Sequence, residues 1–202
     1  MEILKQLLVW RRDVRHFRTD AVPEALVEDL LDLVQLAPSV GNSQPWRFVR
    51  VESAGARATV RASFEACNEE ALAGYEGDRA RLYAGLKLAG LDRAPLQFAV
   101  FCDGATAQGH GLGRGTIPDT LDWSVVGAIH VLWLAARAQG LGLGWVSILD
   151  PQAVTAALDV PAGWRLVAYL CLGWPAEEHA TPELERRGWQ GRTGAGRTVL
   201  VR

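Results

Sequence analysis

Four arginines and one aspartate lie close together near the start of the chain, and three of the arginines, Arg11, Arg12 and Arg15, could bind an anion. The five residues are Arg11, Arg12, Asp13, Arg15 and Arg18. Arginine offers several N–H donors and a permanent charge, which suits a phosphate dianion. The cluster also follows an expected amphipathic helix over residues 1–10, where cations favour the negative end of the helix dipole. The sequence therefore indicates an anion site and leaves this simpler alternative open.

The aspartate inside the basic cluster is the first candidate for proton transfer. In the simpler interpretation, Asp13 forms a salt bridge with a neighbouring arginine. In the functional interpretation, the surrounding cations keep it ionised beside a bound ligand, where it can accept a proton. Both interpretations require a carboxylate near arginine, so the sequence does not separate them.

Two further polar groups stand out from their surroundings. The loop over residues 39–46, Ser-Val-Gly-Asn-Ser-Gln-Pro-Trp, could present hydrogen-bonding groups to the edge of a heterocycle, or could simply connect a helix to a strand. Ser147 interrupts an apolar stretch that reads as a strand. A buried hydroxyl there needs a partner, most often backbone. No GxSxG motif surrounds Ser147, so a hydrolase nucleophile is not predicted.

Glycine and histidine patterns give weaker indications. GxGxGxG at residues 109–115 and GxGxG at residues 140–144 do not follow the strand–turn–helix order of a dinucleotide-binding site. They are interpreted as a mobile loop and a helix C-cap. The histidines His16, His110, His130 and His179 lack metal-ligand spacing, so no metal site is predicted.

The elements that must position these residues form a mixed pattern. Helices are predicted over 1–10, from Pro23 as first helical residue to Pro38, in one or two pieces within 57–92 with a break near Gly74, over 124–138, and from Asp150-Pro151 onward. Strands are predicted from Trp46 and over 98–102, 143–149 and 166–172. This mixture indicates an α+β or α/β class with a single main sheet. The polar tail from Trp174 is expected on a surface or a partner.

Composition narrows the class of protein. The chain has 202 residues, 49% of them hydrophobic, and a net charge of −2, which fits one globular domain and gives no electrostatic case for nucleic acid. The apolar run 125–136 is too short for a membrane span. It needs burial on all sides, which predicts a dimer. The N-terminus is a poor signal peptide, and three scattered cysteines point to a reducing cytoplasm.

Taken together, these segments resemble the FMN-binding nitroreductase superfamily. The resemblance is carried by RRDVRHF at 11–17, SVGNSQPWRF at 39–48, the long run at 132–151 and PELERRGW at 182–189. Within the superfamily, these motifs are most similar to the branch that breaks down FMN to form 5,6-dimethylbenzimidazole. The sequence departs from that branch at Ala89 and Trp123.

The resemblance implies a fold and a site. The fold would be α+β, with a central, mostly antiparallel sheet flanked by helices, in one domain over 1–202 that forms an intertwined homodimer. Flavin would bind at the dimer interface beneath a lid at about 70–92, and residues 174–202 would form a C-terminal extension. Arg11, Arg12 and Arg15 would hold the FMN phosphate and ribityl end. The other expected flavin contacts are Asp13, Val14, Ser39, Asn42, Gln44 and Ser147.

The resemblance also implies an activity. Reduced FMN would be a substrate, fragmented with dioxygen to 5,6-dimethylbenzimidazole, the lower ligand of cobalamin, and D-erythrose 4-phosphate. A separate NAD(P)H-dependent flavin reductase would supply the reduced FMN. Asp13 would act as the base and Ser147 would orient the flavin ring. Two alternatives remain open: an NAD(P)H-dependent FMN nitroreductase or quinone reductase, and a non-enzymatic flavin-binding protein.

Overall fold

A computed structural model describes residues 1–202, apart from the side chain of Ala195. Its helices are α1 Glu2–Trp10, α2 Glu24–Val34, α3 Ala54–Ala73, α4 Gly77–Ala84, α5 Thr120–Ala138, α6 Pro151–Leu158 and α7 Glu183–Arg186. Its strands are β1 Trp46–Arg50, β2 Leu96–Asp103, β3 Gly142–Val146 and β4 Trp164–Gly173. A short 3-10 turn, Val40–Asn42, precedes β1.

The four strands form one antiparallel sheet in the order β1-β2-β4-β3, which confirms the expected α+β class. The central strands are buried on both faces. In β2, Phe98 and Val100 pack in one apolar cluster with residues of α2 and α5, while Ala99 and Phe101 pack in a second cluster with residues of α3 and α6. Because both faces are covered, these strands read in the sequence as continuous apolar runs rather than as alternating patterns.

Helix α5 lies against the sheet and is buried on one side only. Seven of its side chains are buried, among them Val125, Ile129 and Leu132. On the opposite side Trp123 is 59% exposed and Val126 is 42% exposed. Nothing among the described residues of one copy covers this second face, so burial of α5 on all sides would require a second copy, as the sequence predicts.

Local signals in the sequence agree with the other helices. The Asp150 carboxylate caps α6 by accepting from the backbone N–H groups of Gln152 and Ala153, as the Asp-Pro start predicts. The expected break near Gly74 separates α3 from α4. Pro23 is the N-cap of α2 rather than its first helical residue.

The tail after β4 packs against the segment that was expected to act as a lid. The Trp189 ring lies 5.4 Å from the Tyr75 ring and 6.0 Å from the Tyr83 ring, measured between centroids. The Arg79 guanidinium lies over the same indole and donates to the Trp189 carbonyl. Residues 183–189 are therefore held against α4 by Trp189. Within the described residues, no helix is both long and apolar enough to cross a membrane.

Candidate active site

The basic segment, residues 11–18, is held beside β3 by an unusually close backbone contact. Asp13 forms an isolated parallel bridge with Leu143, and the Val14 N–H donates to the Leu143 carbonyl at 3.0 Å. A Cβ at residue 144 would overlap the Val14 carbonyl oxygen, and one at residue 142 would meet the Val14 side chain at 2.7 Å. Only glycine fits at these two positions. The GxGxG motif therefore does more than end α5: it lets Asp13 reach the sheet.

The Asp13 carboxylate is fixed by two hydrogen bonds. Its Oδ1 accepts from the Trp145 backbone N–H at 2.9 Å, and its Oδ2 accepts from Arg15 Nε at 2.9 Å. The salt bridge to a neighbouring arginine is thus present. Burial raises the pKa of Asp13 above its ordinary value, although both hydrogen bonds act in the opposite direction. Desolvation, the largest effect, thus opposes the hydrogen bonds and the Arg15 charge that favour ionised Asp13, and the expectation that cations keep Asp13 ionised stays a prediction.

Arg15 lies between two carboxylates. Its side chain is only 10% exposed, with Nε on Asp13 and Nη1 3.9 Å from Oε2 of Glu183 on α7. The Nη1 atom is buried and has no hydrogen-bond partner among the described residues. Glu183 was not predicted as a site residue, because its proximity to Asp13 arises only when the tail folds back onto the first residues of the chain.

The two preceding arginines have different surroundings. The Arg11 guanidinium lies 4.7 Å above the Trp133 ring, and its buried Nε finds no hydrogen-bond partner in the described part of the chain. The Arg12 guanidinium instead donates to the backbone carbonyls of Leu8, Arg11 and Ala180. Arg12 therefore joins the end of α1 to the tail, while Arg11 keeps an unused donor.

A third guanidinium from the tail approaches this pair. The pKa values of Arg11 and Arg12 are lowered, first by burial and next by the positive charge of Arg192. Sequence reasoning missed Arg192, and the available indication was the basic run of the tail near residues 186–192. Like charges gathered in this way repel one another, and a bound anion would relieve the repulsion.

Ser147 does not lie where the sequence placed it. Strand β3 ends at Val146, and Ser147 is exposed just beyond it. The prediction of a buried strand hydroxyl is wrong because the chain leaves the sheet one residue earlier. Ser147 remains near Asp13, since Trp145 donates to Asp13 and two residues span at most about 7 Å.

The polar loop before β1 forms a second, separate group. Its Val40 N–H donates to Ser124 Oγ near the start of α5 at 3.0 Å, and Gln44 N–H donates to Ser39 Oγ at 3.0 Å. Gln108 donates to the Asn42 carbonyl and to Gln44 Oε1. Asn42 and Gln44 both have positive φ, 54° and 42°, a strained arrangement that clusters at functional sites.

The glycine-rich loop packs on this polar loop. A Cβ at residue 109 would come within 2.8 Å of the Gly41 carbonyl oxygen, and one at residue 113 within 2.7 Å of the Val40 side chain. The loop at 109–115 therefore has a packing role that its interpretation as a mobile loop did not include. Its glycines permit the close packing that shapes residues 39–44.

One chain does not bring the two polar groups together. The loop at 39–44 contacts Ser124, whereas Trp133 Nε1 donates to the Arg12 carbonyl in the basic segment. The stretch of α-helix between these two anchors corresponds to about 13 Å along the axis of α5. Ser39, Asn42 and Gln44 are therefore displaced from the arginines along this helix.

Cavities surround the basic segment. Two small ones, each about 30 Å³, lie on either side of Arg12 and Val14. A larger cavity of about 400 Å³ lies between residues 15–18 and 87–93, with Arg15, Lys87 and Arg93 in its lining. This volume falls in the range of small-molecule sites, roughly 300–1,000 Å³. The end of the expected lid segment, residues 87–92, lines this cavity opposite Arg15 and Arg18.

The sequence is similar to known proteins over most of its length. A sequence model of the nitroreductase family matches residues 8–174. A protein of Rhodospirillum rubrum named 5,6-dimethylbenzimidazole synthase is 64% identical over 94% of this chain and 90% of its own length. A protein of the same name from Rhodobacter capsulatus is 52% identical over 94% of this chain and 91% of its own length.

The fold is also found in solved structures. A crystal structure of oxidized iodotyrosine deiodinase bound to FMN and 3-iodo-L-tyrosine superimposes with a TM-score of 0.75 at 24% sequence identity. The superposition covers 98% of this chain and 97% of that one. At this identity the likeness concerns the fold.

Proposed function

The chain belongs to the nitroreductase family, and we propose that it fragments reduced FMN with dioxygen to 5,6-dimethylbenzimidazole and D-erythrose 4-phosphate. The product is the lower ligand of cobalamin. The high identity to two proteins named 5,6-dimethylbenzimidazole synthase, over nearly the whole chain, supports this reaction.

One observation carries the proposal at the level of residues. Asp13 is a carboxylate with a raised pKa, fixed by Trp145 and Arg15 at the edge of an arginine cluster. A base works best when its pKa approaches the working pH, so burial makes Asp13 better suited to accept a proton. Its position beside the arginines would place it along the ribityl chain of a bound FMN.

The arginine cluster fits the phosphate of FMN. Arg11 Nε and Arg15 Nη1 are buried donors without a hydrogen-bond partner among the described residues, although Arg15 Nη1 lies 3.9 Å from Glu183, and Arg192 adds a further positive charge. A phosphate offers acceptors for these two donors and a negative charge for Arg11 and Arg192. Arg12 contributes its charge while its N–H groups hold the tail in place.

When bound, reduced FMN supplies the electrons for dioxygen and the carbon atoms of the product. The residues of the chain accept a proton, orient the ring and exclude water. Asp13 accepts a proton on the ribityl side, and the Ser147 hydroxyl donates a hydrogen bond that orients the ring. Residues 87–92 of the expected lid line the cavity beside Arg15, and closure of the segment at about 70–92 over bound flavin would exclude water.

A homodimer would complete the site. Trp123, Gly127, His130 and Leu134 recur at helical spacing on the uncovered side of α5, and a Cβ at residue 127 would meet open space. Antiparallel pairing of two α5 helices about a two-fold axis near their midpoints would cover this face. The same pairing would bring residues 39–44 of one copy towards residues 11–15 of the other. Ser39, Asn42 and Gln44 would then contact flavin held by Val14 and the arginines of the second copy.

The test is to incubate purified protein with chemically reduced FMN in air and to search for 5,6-dimethylbenzimidazole by chromatography and mass. We expect Asp13→Asn to lower product formation about 10²–10⁴-fold while most FMN binding remains. Asp20→Asn, an exposed substitution of the same type, is the matched control. A separate flavin reductase with NADH should replace the chemical reductant.

Two results would contradict the proposal. Flavin recovered at unchanged mass after aeration would indicate reversible binding only. Steady oxidation of NADPH by a yellow protein, with flavin retained, would indicate the nitroreductase or quinone reductase alternative. Normal product formation by Asp13→Asn would leave the reaction in place and remove Asp13 as the base.

A further inference from the structure

Glu183 is buried although it belongs to a mostly exposed tail. Its side chain is only 8% exposed, whereas Glu185 and Arg186 on the same turn are exposed. Carboxylates are rarely buried unless they are paired. The oxygens of Glu183 lie 3.9 Å from Arg15 Nη1 and 3.6 Å from Arg187 Nε, and Oε1 has no hydrogen-bond partner within the described chain.

Arg15 joins this glutamate to Asp13. Its Nε donates to Asp13 at 2.9 Å and its Nη1 faces Glu183, so one guanidinium is shared by two carboxylates. A cation that is shared in this way neutralises neither carboxylate fully. The arrangement therefore brings a second negative charge to bear on Asp13 without a direct contact between the carboxylates.

Packing on both sides of α7 keeps Glu183 in place. After the helix ends, the Trp189 ring is fastened among Tyr75, Tyr83 and Arg79. Before the helix begins, the Ala180 carbonyl accepts from the Arg12 guanidinium. The turn that carries Glu183 is thus held at both ends, and the carboxylate has a defined position relative to Arg15.

We propose that Glu183 is a positioning residue, which holds Arg15 between two carboxylates and thereby sets the charge around Asp13 as it accepts a proton. This inference rests on the proposed function of Asp13 as the base. Glu183 itself touches neither the substrate nor the reacting atoms in this scheme.

The charges facing Asp13 define what the substitution of Glu183 should change. Arg11 and Arg15 favour ionised Asp13, and Glu183 disfavours it. The Cys171 thiol on β4 also faces Asp13 and stays neutral, because burial raises its pKa to about 12. Around Glu183, the small cavity is further lined by the titratable or charged residues Arg12, His16, Glu177, His179 and Arg186. Removing the charge of Glu183 should therefore make Asp13 more acidic.

The first measurement needs neither flavin nor turnover. The Asp13 carboxyl carbon is followed by NMR during pH titration of the ligand-free protein labelled with ¹³C-aspartate. In Glu183→Gln we expect its midpoint to fall by about half to one pH unit, and in Glu183→Asp to stay near that of the native protein. Glu185→Gln makes the same change of net charge on the same turn at an exposed position, and should leave the midpoint unchanged.

The second measurement is the pH profile of product formation from reduced FMN. The acidic limb should move to lower pH in Glu183→Gln, and the plateau rate should fall about three- to tenfold, because a weaker base accepts the proton less readily. Affinity for FMN should change little. If the native protein makes no product, the proposed function fails, while the NMR titration still tests the link between Glu183 and Asp13.

Several results would overturn the inference. One is an Asp13 midpoint that is the same in Glu183→Gln and the native protein. Another is tighter FMN binding by Glu183→Gln with an unchanged midpoint, since Glu183 would then merely occupy the place of the phosphate. If Glu183→Gln does not fold, Glu183→Ala, which removes the same charge, takes its place, and an Asp13 midpoint equal to that of the native protein again overturns the inference.

Discussion

At the scale of single residues, the burial of Asp13 favours its function as a base but lowers the stability of the fold. The fold withdraws this carboxylate from water, and the hydrogen bonds from Trp145 and Arg15 only partly compensate. The native state therefore holds the proton of Asp13 more tightly than the unfolded chain does. A base that accepts protons readily is obtained at the expense of folding free energy above the ordinary pKa of aspartate.

This balance predicts a definite sign for the pH dependence of stability. We expect the free energy of unfolding of the native protein, relative to Asp13→Asn, to fall as pH rises from 3.8, the ordinary value, through the raised pKa of Asp13. In this window the unfolded chain has released its proton and the native state has not. Urea denaturation of both proteins over a pH series measures the difference.

For Asp20→Asn, the pH dependence of stability should have the opposite sign. Arg18 lowers the pKa of Asp20 by hydrogen bonding. The stability of the native protein relative to Asp20→Asn should therefore rise with pH between the lowered pKa and 3.8, by a small amount because this pair is exposed. A difference for Asp13→Asn that rises with pH in the same way would contradict the dominance of burial.

At the scale of elements, the start of β3 determines whether Asp13 reaches its place. Gly144→Ala would put a methyl group into the Val14 carbonyl and push residues 13–14 away from the strand. We expect a loss of about 1–3 kcal/mol in the free energy of unfolding, together with loss of product formation, because the Trp145 N–H would no longer reach Asp13. Chemical denaturation and the aerobic FMN assay measure the two effects.

The control for this prediction is Gly55→Ala near the start of α3. A Cβ at residue 55 meets nothing within 4 Å, so stability should be unchanged or slightly higher, as expected for alanine in a helix. Equal stability of Gly144→Ala and Gly55→Ala would show that the backbone of residues 13–14 shifts easily, and that the contact does not fix Asp13.

Elements and site residues differ in how far the sequence predicts them. The Asp-Pro start of α6 and the apolar runs of β2 and β4 act locally, so they were visible as patterns. The closeness of Gly144 to Val14 and the burial of Glu183 beside Arg15 depend on segments far apart in the chain. Such contacts leave no spacing to recognise. The exposure of Ser147 was missed because one residue decides where β3 ends.

At the scale of the whole molecule, the uncovered face of α5 and the separation of the two polar groups have one common explanation. The sequence pattern of α5 requires a second apolar surface, yet the sheet, α1 and α2 of one chain leave the side with Trp123 and Val126 uncovered. The loop at 39–44 and the basic segment lie at different points along the same helix. An antiparallel pairing of two copies would resolve both, so assembly and flavin binding should be lost together.

We therefore predict that Val126→Glu, which places a charge on the uncovered face of α5, yields a monomer that binds FMN at least tenfold more weakly. Val126 is 42% exposed in one chain, so a folded monomer should tolerate the change. Sedimentation velocity and flavin fluorescence titration measure assembly and binding. Thr59→Glu, on the exposed side of α3, should leave both unchanged. A Val126→Glu monomer that binds FMN normally would place the whole flavin site within one chain, and residues 39–44 would then have no part in it.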